Sequence, residues 1–312
     1  MQLSPIEIIK ILLHKLFNAE FAELSQTRVS ILWTRLPRVL LSFVVGSALS
    51  VSGVVMQSVL RNPLASSYTL GVSSGAAVGA SLTLLFSLSF LGLFTLPFFG
   101  LLGGLVTVFA AILLASKIDK NMGNTTIILT GMALSLFANA AITFILSMMP
   151  EKKITTLIHW QMGTLSDQGW TPLAIIAGAT VVITALLFIF HKEMDVMSFG
   201  EEYAKAAGVS VTRIKWILLS LSAAITGIAI AFVGIVGFID LFTPHVARKI
   251  FGSKHIFVIP AAALIGGFFT TICDLISRAA FKDIQFPIGA VTAIIGAPFF
   301  IYIYFSGRKK GA

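Results

Sequence analysis

One cysteine, Cys273, occurs among 312 residues, and it lies inside an apolar run. A single thiol provides neither a disulfide framework nor a thiolate metal cluster. Charge is scarce too: Asp, Glu, Lys and Arg make up 11% of the chain against 57% apolar residues. A soluble chain of this length has no use for so much apolar surface, whereas a bilayer does. Acids are the scarcer sign, 13 against 22 basic residues, for a formal charge of +9. The cations are scattered over loop ends, which reads as membrane topology and not as a nucleic-acid surface. The chain contains no G-x-x-x-x-G-K-[ST] phosphate loop, no His-Glu-x-x-His and no His-rich metal set. It therefore offers no catalytic, cofactor-binding or metal-ligating constellation, which speaks against an intramembrane enzyme. Asp240, Asp274 and Glu151 are the acids a secondary transporter driven by an ion gradient would use, but they stand alone and form no relay.

What the chain has is apolar runs. Nine approach the roughly 20 residues of a membrane span: 37–60, 69–92, 96–116, 125–148, 171–190, 214–236, a short one at 239–251, 256–277 and 288–306. The expected fold class is an all-α polytopic membrane protein, with residues 35–312 as a single transmembrane domain. Let the first run cross from outside to inside. Thirteen of the 22 basic residues then fall in the cytoplasm, closing with Arg308-Lys309-Lys310. The bias has the sign of the positive-inside rule and puts the C-terminus in the cytoplasm. The nine outside cations, among them Lys10, Lys15, Arg35, Arg38, Lys153, Arg278 and Lys282, call for an explanation of their own. Residues 1–34 lack a span and a signal-peptide pattern. Ser4-Pro5-Ile6-Glu7 has the form of a capping box with Pro at the first helical position, and an amphipathic strip follows from Ile8 to Leu16. This segment is expected to be an extracytoplasmic, interfacial helix resting on membrane lipid.

Local patterns add detail. Arg35-Leu36-Pro37-Arg38 places two cations where the first span is expected to begin at its Pro. Gln57 sits inside that span. Gly71, Gly75 and Gly79 recur every four residues, a ridge on which another helix can pack backbone to backbone. Between Gly200 and Gly208 a brief helix is expected, with Glu201 and Glu202 at its start, then a second over Val211–Lys215. A solvated loop and a docking element both fit these residues. Gly234, Gly237 and Pro244 interrupt the seventh apolar region, as happens where backbone is buried in protein or lines a path. His245 reads as a helix-end cap in preference to a ligand. Asp240 is an intramembrane carboxylate that needs a partner or a cavity. Asp274 and Arg278, one helical turn apart, read as an ion pair holding helices together.

Taken in order, these blocks resemble the FecCD-type permeases of binding-protein-dependent ABC importers. The matching strings are Arg35-Leu36-Pro37-Arg38, Gly53 with Gln57, Arg61-Asn62-Pro63-Leu64-Ala65, Leu70 to Ala76, and Trp160 to Leu165. They continue with Gly200-Glu201-Glu202-Tyr203-Ala204 to Gly208-Val209, Gly237-Phe238 with Pro244-His245 and Arg248, Asp274 with Arg278, Pro287-Ile288-Gly289, and Gly296-Ala297-Pro298. The resemblance implies a type II importer permease fold and a subunit that does no covalent chemistry. It also implies a dimer with a path along its axis, formed with a second copy or a similar permease. Arg35, Arg38 and Arg278 would meet glutamates of a substrate-binding protein. Gly200, Glu201, Glu202, Tyr203, Ala204, Ala207 and Gly208 would form cytoplasmic coupling helices, at about 198–215, seated on a separate ATPase. Gln57, Asp240 and Asp274 would be path or structural polar groups. The cargo implied is a ferric siderophore, with haem and cobalamin as alternatives. Two departures from the family pattern stand out. The family has ten spans, the first ahead of a segment like Leu3–Phe17, and it usually has Gly where this chain has Asp240.

Overall fold

The computed structural model describes residues 4–17, 25–166, 168–279 and 286–308. All regular elements among them are helical, as a chain must be if its backbone is to satisfy itself in hydrocarbon. In chain order the α-helices are α1 (Pro5–Phe17), α2 (Gln26–Val59), α3 (Val72–Leu85), α4 (Thr95–Ile118, preceded by a single 3-10 turn over Gly92–Phe94), α5 (Asn124–Ser147), α6 (Glu151–Gln161) and α7 (Trp170–Ile189). They continue with α8 (His191–Ser198), α9 (Glu201–Ala206), α10 (Val211–Val233), α11 (Ile239–Phe251), α12 (His255–Ala279) and α13 (Ile288–Arg308). Six of them, α2, α4, α5, α7, α10 and α12, are long and apolar enough to cross a membrane. Helices α3, α11 and α13 correspond to the other three apolar runs. At 14 and 13 residues, α3 and α11 reach only about 20 Å, less than the roughly 30 Å hydrocarbon core.

The bundle is built around α2, the most enclosed of the long helices, which packs on α12, α10, α11 and α7. Small residues set these contacts. A Cβ added to Gly46 would fall 2.2 Å from the Gly266 carbonyl on α12, and one added to Gly53 would fall 2.0 Å from the Asp240 carbonyl on α11. Gly75 and Gly79 perform the expected backbone-to-backbone packing, against Gly103 and Phe99 of α4. Gly71 does not belong to that ridge. It caps α3 with φ 91°, a left-handed conformation that glycine adopts without strain. Helices α5 and α7 bury little of their surface and expose Leu136, Phe137, Phe144, Val181 and Val182, as helices facing lipid or another subunit do.

Several boundaries differ from expectation. Helix α2 does not begin at Pro37 but runs through it from Gln26, across the expected division at residue 34. Proline removes one hydrogen bond and fixes a φ that is already helical, so a helix held by its neighbours continues through it. Helix α3 ends at Leu85, well short of residue 92. Ser87, at φ 52°, turns the chain, and Lys153 binds the Leu85 carbonyl at 3.0 Å. The expected short helix over Val211–Lys215 is the first turn of α10 and not a separate element. The Ser4–Glu7 capping box is present, at 2.9 and 3.2 Å, and Glu7 also pairs with Arg28. Lys282, Lys309 and Lys310 lie outside the described residues.

Candidate functional site

The interruption expected in the seventh apolar region falls between Val233 and Ile239. Gly234 turns out of α10 at φ 76°, and Phe238 enters α11 at φ 69°. The left-handed position thus goes to Phe238 and not to Gly237, while Pro244 lies within α11 without ending it. His245 also lies inside α11, its ring 5.6 Å from that of Phe300, and so is not a helix-end cap. Breaking a helix frees carbonyls, and the α6–α7 and α2–α3 connections take them up. The Thr164 amide donates to the Val233 carbonyl at 2.7 Å, the Gln168 side chain to Phe232 at 3.1 Å, and the Tyr68 hydroxyl to Val236 at 2.7 Å. The start of α13 locks onto the same loop, since Ile288 and Gly289 amides donate to the Gly163 and Met162 carbonyls at 3.2 Å each. A Cβ on Gly163 or Gly289 would meet the Ile235 carbonyl within 2.7 Å. The strings around Trp160–Leu165 and Pro287–Gly289 therefore form a plug in the broken helix.

The polar groups singled out inside the membrane are all enclosed by the chain. Gln57 is 4% exposed and Asp240 1%. The Gln57 amide donates to the Leu241 carbonyl at 3.0 Å. Neither carboxylate oxygen of Asp240 has a hydrogen-bond partner among the described residues. Asp274 is also fully buried, at the opposite end of the α2–α12 contact. Its Oδ1 accepts from Arg38 Nε at 2.9 Å and Nη2 at 2.8 Å. Arg278 Nη2 lies 3.0 Å from its Oδ2, an ion pair without hydrogen-bond alignment. One carboxylate thus serves two arginines, its Oδ1 accepting two charge-assisted hydrogen bonds from the first. Arg38 also donates to Ser166 at 3.1 Å. Arg35 is exposed and makes no ion pair among the described residues. The three arginines expected to act together therefore differ: Arg35 is exposed, Arg278 is partly open, and Arg38 is largely committed to the bundle.

At the other end, α9 stands proud of the bundle. Gly200 (φ 132°) and Gly208 (φ 85°) bracket it. Gly208 closes it by donating to the Lys205 carbonyl, and Val209 by donating to Ala204. Glu202, Tyr203, Lys205, Ala206 and Ala207 face outward. Ala204 does not share that face: it is completely buried within the chain. Phe199 is 76% exposed, and its ring lies 5.8 Å from that of Tyr203. Glu201 turns inward to Lys215 at 2.7 Å. The buried Lys215 ammonium also donates to the Met122 carbonyl and Asn124 Oδ1, each at 2.7 Å. Its three protons are thus all used, and α9 is tied to α10 and to the α4–α5 loop. In that loop the Gly123 and Asn121 amides hold the Asp119 carboxyl below its ordinary pKa.

Helices α6 and α8 were not expected. Pro150-Glu151 is a helix-start signal that could have revealed α6, and the buried pair Met194 and Met197, one turn apart, could have revealed α8.

The FecCD transport family model matches residues 1–306. The chain is 33% identical over 278 residues to the Fe(3+)-citrate import system permease YfmE of Bacillus subtilis, covering 88% of this chain and 82% of that one. It is 37% identical over 270 residues to the cobalamin import system permease BtuC of Halobacterium salinarum, covering 86% and 71%. A solved structure described as an inward-facing conformation of a metal-chelate type ABC transporter superposes with a TM-score of 0.83 at 27% identity, covering 96% of this chain and 97% of that one. With these matches over nearly all of a many-helix membrane bundle, the chain belongs to the FecCD transport family, as the membrane-spanning permease subunit of an ABC importer and not an enzyme.

Proposed function

We propose that this permease carries a ferric siderophore inward, paired with a second permease subunit and driven by ATP hydrolysis on a separate cytoplasmic ATPase. The observation that carries the reading is the full-length likeness to a transporter of metal-chelate type. The α9 end is the cytoplasmic one, in keeping with Arg61, Lys192, Lys205 and Arg213 near it, and the C-terminus lies on that side. Residues 1–34 lie on the outer face. There Arg35, Arg278 and, through them, Arg38 receive acidic side chains of a substrate-binding protein, contacts that steer encounter and fix register more than they add affinity.

Residues Gly200 to Gly208 seat on the ATPase. In support, the segment from Phe199 through α9 presents the rings of Phe199 and Tyr203 outward, the aromatic type enriched at interfaces, while Lys215 fixes the inner face of α9. The cargo separates the readings within this class. Thermal-shift screening of the cognate binding protein against a ferric hydroxamate, haem and cobalamin should give its largest stabilisation with the ferric hydroxamate. Stabilisation by cobalamin or haem alone would replace the siderophore reading.

A further inference from the structure

Helix α11 is a 13-residue rod between two left-handed backbone positions, Phe238 and Gly252, the latter at φ 80°. Its internal Pro244 has no amide proton, so the carbonyl of Asp240, four residues earlier, lacks its helical donor. Gln57 of α2 fills the gap: Nε2 lies 3.4 Å from that carbonyl and 3.0 Å from the carbonyl of Leu241. Gln57 Oε1 in turn accepts from Arg248 Nη1, in the last turn of α11, at 2.6 Å. Arg248 Nη2 donates to Ser58 Oγ at 3.1 Å. Ser58 Oγ lies 2.5 Å from His255 Nε2, at the start of α12. The opposite ring nitrogen, Nδ1, lies 2.6 Å from Asp195 Oδ1 on α8, which also accepts the His255 amide at 2.9 Å.

A carboxylate oxygen only accepts, so Nδ1 carries a proton. The Ser58 hydroxyl then either donates to Nε2 or turns to the Val54 carbonyl, 2.8 Å away, and accepts from Nε2. Both arrangements leave the serine and the imidazole fully paired. The chain of contacts therefore runs unbroken through Asp195, His255, Ser58, Arg248 and Gln57 to the backbone beside the interruption. It joins four helices through buried Gln57 and His255 and half-buried Asp195, Ser58 and Arg248, where an apolar packing would avoid the cost of desolvation.

One end of this chain stands on α8, which leads through Gly200 into α9. The other end grips both termini of α11. We propose that these five side chains are positioning residues for transport: they set the tilt of α11 at the interrupted helix according to the position of α8. The proposal rests on the reading of α9 as the ATPase seat. An element held at both ends and pivoted at Phe238 and Gly252 is the kind of two-position part through which coupling between distant sites travels.

The test uses the assembled transporter in proteoliposomes, with labelled ferric hydroxamate uptake and phosphate release measured on the same sample. Asp195→Ala, Ser58→Ala and Gln57→Met each sever one link. Each should lower uptake per ATP hydrolysed by about tenfold, a size typical of coupling between sites, with the ATPase still co-purifying. Asp195→Ala combined with Gln57→Met should be no worse than either alone, because serial links fail together, whereas independent struts would give additive losses. Ser58→Ala removes a single oxygen and keeps the test open if a larger change prevents insertion. An unchanged uptake-to-ATP ratio, or additive losses, would overturn the relay while leaving the seat intact. Failure of the seat itself shows separately, as full ATPase co-purification with Ala207→Glu, and it would remove the relay's input as well.

Discussion

Replacing Asp274 by Asn separates two roles that the outer arginines play at once. In the folded chain Asp274 is buried and its Oδ1 accepts two hydrogen bonds from Arg38, while Arg278 pairs with its second oxygen. Removing one member of a buried pair costs about 3–5 kcal/mol because the other charge is left uncompensated. Arg38 keeps 18% exposure and its bond to Ser166, so the loss belongs between that figure and the roughly 0–1 kcal/mol of an exposed pair, about 2 kcal/mol. A drop of several degrees in the melting temperature of the detergent-solubilised protein is expected. The same change raises the local charge of Arg38, Asp274 and Arg278 from +1 to +2. If these arginines receive acidic side chains, the binding protein should associate faster at low salt while the permease itself becomes less stable. The double change Arg38→Met with Asp274→Leu should restore the melting temperature, since a buried pair replaced by apolar residues is often neutral or stabilising, and should bring association back near the unaltered rate, since the local charge returns to +1. Stopped-flow association with a fluorescent binding protein at two salt concentrations reads one effect, and thermal unfolding reads the other. An Asp274→Asn protein that melts normally would refute the structural role of the pair. One that docks more slowly at low salt would refute the electrostatic role of the arginines.

Three further outcomes follow from packing. Ala207→Glu should abolish co-purification of the ATPase with the permease still inserted. Ala204→Glu should instead lower the permease's own melting temperature, because Ala204 is fully buried within the chain and a charge there has no partner. Gly79→Val should sharply reduce the yield of folded protein, since its Cβ would lie 1.9 Å from the Phe99 carbonyl and backbone must shift to admit it. A normal yield in detergent by size-exclusion chromatography would contradict that packing.

The spans were legible because hydrophobic run length is a local property, and all nine runs have a helix in them. The elements that escaped, α6 and α8, are short and half polar, and their apolar faces mean something only once a bundle exists to cover them. Pro37 was read as a helix start because the rule that places proline in a first turn is local, whereas tertiary packing carries α2 through it. At the interruption Gly234 was recognisable, but the partners of its freed carbonyls come from Thr164, Gln168 and Tyr68, tens of residues away or more. Gln57 stood out as a polar residue in an apolar run. Its reason depends on Arg248 and on the missing amide of Pro244, a pairing that spacing along the chain does not disclose. Ala204 and Ala207 looked equivalent in sequence, and only the fold turns one inward and the other outward.

The central claim, that ATP hydrolysis on a partner seated at Gly200–Gly208 drives a ferric chelate through this bundle, meets its most direct test in reconstituted uptake. Proteoliposomes holding the permease and ATPase, with binding protein and labelled ferric hydroxamate outside and ATP inside, should accumulate iron. Uptake should persist when an uncoupler collapses the proton gradient, stop when ATP is omitted, and vanish with Ala207→Glu. Accumulation that needs no ATP and collapses with the uncoupler would contradict the account, as would uptake by Ala207→Glu at the unaltered rate.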